Sequence, residues 1–146
     1  MLRSFVAFAL FAIAGLAVVG TGCSSAPTKP EVKPGPAIPD LNLSGTWYSR
    51  EFGDMKLVQQ GKNLVTGSYE DPRGPDHNGT LRGTIEGDIL WVEWIKPGNA
   101  VAAIFPARGR GWLRISRDQK VMEGRWGFDD DNANGGPWKA EKSSFQ

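Results

Sequence analysis

Short β-forming segments with a glycine two positions before a large apolar residue constrain the fold of this chain most strongly. The pattern recurs in SGTWYS, TGSYED, RGTIEG and EGRWGF. Because side chains alternate between the two faces of a strand, each glycine shares a face with the apolar residue that follows it. Glycine weakens the interior of a strand unless it permits a bend or a close approach, and repeated glycines let small barrels curve. The pattern therefore predicts a strongly curved β-sheet.

Eight β segments follow one another, and no helical periodicity of useful length interrupts them. They are SGTWYSRE, DMKLVQQ, LVTGSYE, TLRGTIEG, ILWVEWI, one long or bulged segment within residues 101–116, VMEGRWG and PWKAEKS. The turns between them are short and polar, which predicts antiparallel neighbours joined as hairpins. A barrel of about eight strands is just filled by its side chains or holds one small ligand. We therefore predict an all-β fold, an eight-stranded antiparallel up-and-down barrel, over residues 41–146.

The chain opens with a segment of a different kind. Arg3 is followed by an apolar run over residues 5–19 and then by small residues, the order of a secretory signal peptide. We predict that residues 1–22 are a signal that is removed, which takes away Arg3 alone among the charged residues. The remaining chain then has equal numbers of acidic and basic side chains. A neutral balance disfavours a dedicated nucleic-acid-binding protein.

The only cysteine of the chain, Cys23, stands directly after this signal, so it has no partner for a disulfide within the chain. Thr21 and Gly22 before it resemble the lipobox of bacterial lipoproteins, although Gly20 stands where that family usually has leucine. The resemblance implies cleavage before Cys23 and lipidation of its thiol and of the new amino terminus. Ser24 implies sorting to the outer membrane. We therefore expect a membrane contact through a lipid anchor, with the protein facing the periplasm or the cell surface.

Residues 23–40 differ in composition from the rest of the chain. Residues 24–40 contain five prolines and no aromatic residue. Such a segment cannot bury enough apolar surface to fold by itself, and its prolines favour an extended backbone. We predict a lipidated, proline-rich tether before the barrel.

Four motifs of the barrel segment resemble successive strands of avidin-like barrels: GTWYS (45–49), VTGSYE (65–70), VEWIKPGN (92–99) and PWKA (137–140). The Gly-x-Trp opening is also similar to that of lipocalins, in which the tryptophan closes one barrel end beneath a basic residue of the last strand. The resemblance implies that role for Trp47 and Lys139. Ser49 stands where avidins carry a ligand-binding asparagine, and Glu51 replaces an apolar contact. The resemblance therefore supports a barrel of this type and not biotin binding.

Strand parity places an aromatic set on the inner faces of the strands. A ligand site inside the barrel would consist of Trp47, Ser49, Tyr69, Trp94 and Trp126, with Gln59 as a further polar group. Pockets are mostly apolar with a few placed polar groups, but a plain core would bring the same aromatic rings together. Two functions stay open. One is binding of a small, partly apolar ligand or of an envelope partner, and the other is a structural envelope role for a barrel filled by its own side chains.

An outward-facing basic stripe is predicted in RGRGWLRIS. Its members, which share one strand face, are Arg108, Arg110, Trp112 and Arg114. Arginine binds phosphates in a bidentate manner and tryptophan favours interfaces, so the stripe would suit anionic lipid, lipopolysaccharide or an acidic partner. The alternative is an ordinary solvated strand face.

The segment DDNANGGPWKAE matches the pattern of a calcium-binding loop. The matching residues are Asp130, Asn132, Asn134, Gly135 and Glu141. The flanking segments read as strands rather than helices, and Pro137 stands where that loop pairs its backbone. The alternative is a polar connection between the last two strands. Calcium is the only cofactor that the sequence suggests.

Catalytic residues are not indicated by the sequence. The only histidine, His77, lies in the turn-rich DPRGPDHNGT beside Asp76, and no pattern orients either group. A lipidated Cys23 would leave no free thiol as a nucleophile. We therefore expect a protein that is not an enzyme.

Overall fold

The computed structural model describes residues 31–97 and 107–144. The described residues from Val32 onward form one compact unit. The predictions of a signal peptide over residues 1–22 and of lipidation at Cys23 lie outside the described residues. Residues 101–106 of the sixth predicted segment, which was placed within residues 101–116, also lie outside the described residues.

Eight strands form a closed barrel in which each strand pairs antiparallel with the next and β1 also pairs with β8. The strands are β1 (Gly45–Ser49), β2 (Gly53–Gln60), β3 (Leu64–Glu70), β4 (Gly79–Glu86), β5 (Ile89–Lys96), β6 (Ala107–Ile115), β7 (Val121–Phe128) and β8 (Gly136–Lys142). In the described part of the chain, the only helical element is a short 3₁₀ turn at Pro75–His77. The prediction of an all-β, eight-stranded, up-and-down antiparallel barrel is confirmed.

A packed core fills the interior of the barrel. Strand β4 alternates strictly between buried and exposed residues, as expected when one face of a strand points inward. The largest fully buried side chains are Trp47, Trp138, Leu43, Met55, Ile89, Leu90, Leu113, Met122 and Val65. Most of the barrel volume is therefore occupied by the protein's own side chains.

Inward-facing glycines bring neighbouring strands close together, as the repeated pattern predicts. A Cβ atom on Gly83 would lie 2.7 Å from Leu90 Cδ1 and 2.8 Å from the carbonyl oxygen of Trp91. A Cβ on Gly67 would lie 2.5 Å from the carbonyl oxygen of Lys56. Neither position has room for a side chain, so these glycines permit the close packing of the barrel wall.

One end of the barrel, here called the closed end, is sealed around Trp47. The indole Nε1–H of Trp47 donates a hydrogen bond to the carbonyl oxygen of Leu43 at 2.9 Å. Lys142 Nζ lies 5.6 Å from the ring centroid of Trp47, within the range of a cation–π contact. Lys139 instead lies 2.9 Å from Glu141 and 3.8 Å from Glu123. The basic residue over the tryptophan is thus Lys142, and the expectation of Lys139 was wrong because Lys139 faces away from the interior.

Residues 32–43, here called the strap, pack on the closed end. The Gly35 N–H donates to Asp88 Oδ1 at 2.6 Å, and Arg114 donates both to Asp88 Oδ2 at 2.6 Å and to the Lys33 carbonyl at 2.9 Å. Ile38 is buried in the core of the barrel. The last part of the segment predicted as a tether therefore contacts the barrel, because it supplies an apolar side chain and backbone groups that barrel residues bind.

Candidate ligand-binding site

The opposite end of the barrel, here called the open end, carries the longer connections. Residues 71–78 link β3 to β4 there, and residues 129–135 link β7 to β8. Residues 87–88, by contrast, suffice to link β4 to β5 at the closed end. A cleft of about 550 Å³ lies at the open end.

Five aromatic side chains form the apolar wall and floor of this cleft: Phe52, Tyr69, Trp94, Trp126 and Phe128. Phe52 meets Tyr69 edge to face at a centroid distance of 5.2 Å and meets Trp126 in the same manner at 5.6 Å. Trp126 and Phe128 are 5.1 Å apart, again edge to face. This is the arrangement that aromatic quadrupoles favour. Phe128 is 47% exposed, so the wall reaches the surface.

The floor of the cleft is set by the connection between β1 and β2. Ser49 is fully buried, and its Oγ accepts hydrogen bonds from the backbone N–H groups of Glu51 and Phe52 at 3.2 and 3.3 Å. These bonds direct the Phe52 ring into the mouth of the barrel. The ring packs on Trp138 at a centroid distance of 4.5 Å. The cleft therefore ends at Phe52 and does not continue into the core.

A tight ion pair borders the cleft on one side. Asp71 Oδ1 accepts from the Arg73 backbone N–H and from Nε, each at 2.9 Å, and Oδ2 accepts from Nη2 at 2.6 Å. These hydrogen bonds lower the pKa of Asp71 to about 2, although burial opposes the shift. Burial, and then the charge of Asp71, raise the pKa of Tyr69 to about 12. At neutral pH the cleft thus presents a neutral phenol beside a carboxylate that is already paired.

Lys96 and His77 meet on the rim of the cleft. Lys96 Nζ lies 2.7 Å from His77 Nδ1. An ammonium group has donors only, so Lys96 donates in this contact and Nδ1 of His77 accepts. Arg50 and Glu51 complete the charged rim. The carboxylate of Glu51 accepts the Ser49 hydroxyl at 3.0 Å.

The structure separates the residues of the predicted ligand site. Tyr69, Trp94 and Trp126 come together in the cleft as strand parity suggests. Trp47 lies at the closed end, and Ser49 is buried beneath the connection that carries Phe52. Gln59 binds the strap, since its Oε1 accepts the N–H of Leu43 at 2.9 Å and its Nε2 donates to the Leu41 carbonyl at 3.1 Å.

Sequence reasoning missed two aromatic members of the cleft. Phe52 lies in a connection, where the alternation of a strand does not apply. Phe128 is the last residue of β7, one position beyond the predicted segment, and it shares the parity of Trp126. Extending that alternation by two residues would have found Phe128.

The predicted basic stripe faces outward, but carboxylates lie close to its arginines. Arg108 Nε lies 3.9 Å from a carboxylate oxygen of Asp129. Arg110 lies 3.6 Å from Glu93 and 3.5 Å from Asp130. Arg114 forms an ion pair with Asp88 at 2.6 Å. Trp112 is half-buried and lies directly across from Trp91 in the pairing of β5 with β6. The positive charge of the stripe is therefore largely balanced, and Arg114 has a structural partner.

The residues of the predicted calcium loop do not converge. Glu141 lies five residues beyond Gly136 on β8, about 17 Å along an extended strand, and pairs with Lys139. Asn134 Oδ1 accepts the Phe128 N–H at 2.8 Å. Asp130 lies beside Arg110, and Asn132 lines a shallow surface depression with it. Over residues 31–97 and 107–144, no three His, Cys, Asp or Glu side chains are grouped as a metal site. Residues 129–135 of this segment form the connection between β7 and β8.

Comparison of the chain with protein-family models, with curated proteins and with solved structures gives no match in any of the three. The resemblances to lipoproteins, avidins and lipocalins therefore stay predictions beyond the eight-stranded barrel itself. Within the part of the chain that the structure describes, no helix is long and apolar enough to cross a membrane.

Proposed function

We propose that this protein is a lipid-anchored envelope protein of the outer membrane whose barrel binds a small, partly apolar ligand at its open end. The observation that supports the proposal is the cleft of about 550 Å³ lined by five aromatic side chains. Ligand pockets are typically about 300–1,000 Å³ in volume and mostly apolar with a few convergent polar groups. The cleft has that size and composition.

The aromatic wall of the cleft runs from the core to the surface: Phe52, Tyr69 and Trp94 are buried, whereas Phe128 is exposed. Phe128 is 47% exposed although it contacts both Trp94 and Trp126, at centroid distances of 5.8 and 5.1 Å. An aromatic wall that reaches solvent at one edge, beside a rim of charged side chains, has the composition expected of a ligand pocket.

The position of the strap is compatible with an anchor at Cys23. The strap follows Cys23 in sequence and binds the closed end through Asp88 and Arg114. The described chain therefore meets the barrel at the end opposite to the cleft. The cleft could face the periplasm or the cell surface, as the sequence predicts.

A second candidate is a structural envelope protein without a ligand. The contact of the Phe52 ring with Trp138, at a centroid distance of 4.5 Å, favours this candidate, because the Phe52 ring occupies the mouth of the barrel directly above the core. This candidate and ligand binding differ in whether the cleft takes up a small molecule.

Calorimetric titration of the full chain in detergent micelles with neutral indole-3-acetamide tests ligand binding, with empty micelles as the blank. We expect saturable binding that Trp94→Ala abolishes. The matched control is Trp91→Ala, which removes a half-buried indole from the outer face of the same strand. Absence of saturable binding to the unaltered chain would leave the structural candidate.

Cys23→Ser tests the anchor separately in a bacterial host. We expect an uncleaved precursor that carries no lipid label, whereas the neighbouring Ser24→Ala should still be lipidated. Normal processing and membrane retention of Cys23→Ser would contradict the lipoprotein assignment.

A further inference from the structure

We propose that the ligand of the cleft carries an anionic group, such as an organic carboxylate, which Lys96 binds while an apolar part of the ligand packs on the aromatic wall. This inference rests on the proposed binding function and specifies the chemical class of the ligand.

The charged side chains around the cleft differ in how many hydrogen-bond and ion-pair partners they have. The carboxylate of Asp71 accepts three hydrogen bonds from Arg73, so that ion pair is internally complete. Glu51 accepts the hydroxyl of Ser49. Within the described residues, neither Arg50 nor Lys96 forms an ion pair with a carboxylate. The rim therefore has an excess of positive charge, which favours an anionic ligand over a cationic one.

Lys96 is the better placed of the two cations. It is half-buried, and its described partner is the imidazole Nδ1 of His77 at 2.7 Å rather than a carboxylate. An ammonium group has three donors, so two of them have no partner among the described residues and can bind a ligand. A charge-assisted hydrogen bond to a carboxylate is about twice as strong as a neutral one, and the partial burial of Lys96 limits screening by water.

The spacing of Lys96 and Trp94 also suits one small molecule. The two residues stand two positions apart on β5 and therefore share the strand face that lines the cleft. Two residues of an extended strand span about 7 Å. A ligand with an aromatic ring and a carboxylate on a short link can thus place its ring against Trp94 and its anion at Lys96.

The experiment compares indole-3-acetate with indole-3-acetamide, which have nearly the same shape and differ in charge at neutral pH. The full chain in detergent micelles is titrated by calorimetry with each probe. We expect the acetate to bind about tenfold more tightly, as one charge-assisted hydrogen bond allows. Lys96→Gln should remove this preference by weakening the acetate while leaving the amide unchanged, and Lys96→Arg should largely keep it. The matched control is Lys62→Gln, an exposed lysine in the turn between β2 and β3.

The outcomes distinguish this inference from the proposed function. Equal affinity of the unaltered chain for both probes would overturn the anionic ligand and leave ligand binding intact. Binding of neither probe would overturn both. A preference for the acetate that persists in Lys96→Gln would overturn the role of Lys96, provided that the melting temperature shows the variant to be folded.

Discussion

Phe52 packs on Trp138 with ring centroids 4.5 Å apart and ring planes inclined by 36°. Phe52 comes from a short connection at the open end, whereas Trp138 belongs to β8 and is 1% exposed. The contact therefore joins a connection to the core and divides the barrel into a filled interior and a shallow cleft.

Replacement of Phe52 by alanine should test this division. Phe52→Ala removes a buried ring and its contacts with Tyr69, Trp94, Trp126 and Trp138. We expect the free energy of unfolding to fall by about 3–5 kcal/mol, the usual cost of Phe→Ala in a core. Denaturant unfolding measures the change. Phe128→Ala, which truncates a half-exposed ring of the same cleft, is the control and should cost clearly less. Equal costs would mean that Phe52 is not part of the core.

The paired carboxylate of Asp71 predicts a dependence of stability on pH. The hydrogen bonds of Arg73 lower the pKa of Asp71 from 3.8 to about 2. The folded state therefore favours the ionised form, so this stabilisation is fully present above about pH 4 and is lost as the pH falls towards 2. Asp71→Asn should lower the free energy of unfolding at pH 7 by up to about 2 kcal/mol and by less at pH 3.

Denaturant unfolding at pH 7, 4 and 3 checks the dependence on Asp71. Asp76→Asn, in the same connection, is the control and should change stability by less than about 0.5 kcal/mol at each pH. A difference between Asp71→Asn and the unaltered chain that stays constant down to pH 3 would contradict the assignment.

The fold could be predicted because the signals for it are local. Leu81, Gly83 and Ile85 alternate with exposed residues within one strand, and short turns give the antiparallel order without any knowledge of distant contacts. Closure of the barrel through the pairing of β1 with β8 follows from the number and curvature of the strands.

The site was harder to predict because the alternation along a strand shows which face a residue lies on but not how far along the barrel axis it lies. Trp47 and Tyr69 both face inward, but Trp47 stands at the closed end and Tyr69 near the end of β3 at the open end. The contact of Lys96 with His77 joins residues 19 positions apart and exists only once β4 and β5 have paired. Contacts of this kind leave no periodic signal in the sequence.

Asp88 should hold the strap on the barrel. Burial raises the pKa of Asp88, but the hydrogen bonds from the Gly35 N–H and Arg114 outweigh burial, and the net pKa lies below its usual value. Asp88→Ala removes the carboxylate that accepts both of these hydrogen bonds. We expect faster proteolysis and faster amide exchange within the strap, and a loss of about 1–3 kcal/mol in the free energy of unfolding. Asp54→Ala, which removes an exposed carboxylate from β2, should leave the strap protected. Unchanged exchange at Gly35 in Asp88→Ala would show that other contacts hold the strap.

The inward-facing glycines should tolerate no side chain, and Gly83 gives the clearest test. A Cβ at this position would lie 2.7 Å from Leu90 Cδ1 and 2.8 Å from the Trp91 carbonyl oxygen, and the carbonyl belongs to the backbone of the paired strand. Gly83→Val must therefore push β4 and β5 apart, since a leucine side chain can move but a paired backbone cannot without loss of hydrogen bonds. We expect the free energy of unfolding to fall by about 1–3 kcal/mol, the usual cost of overpacking.

The control, Thr84→Val, places the same side chain one residue along, on the exposed face of the same strand. It should change the free energy of unfolding by less than about 0.5 kcal/mol. Thermal and denaturant unfolding of the two variants measure the difference. Equal stability of the two would mean that the glycine pattern reflects something other than the close approach of strands in the barrel wall.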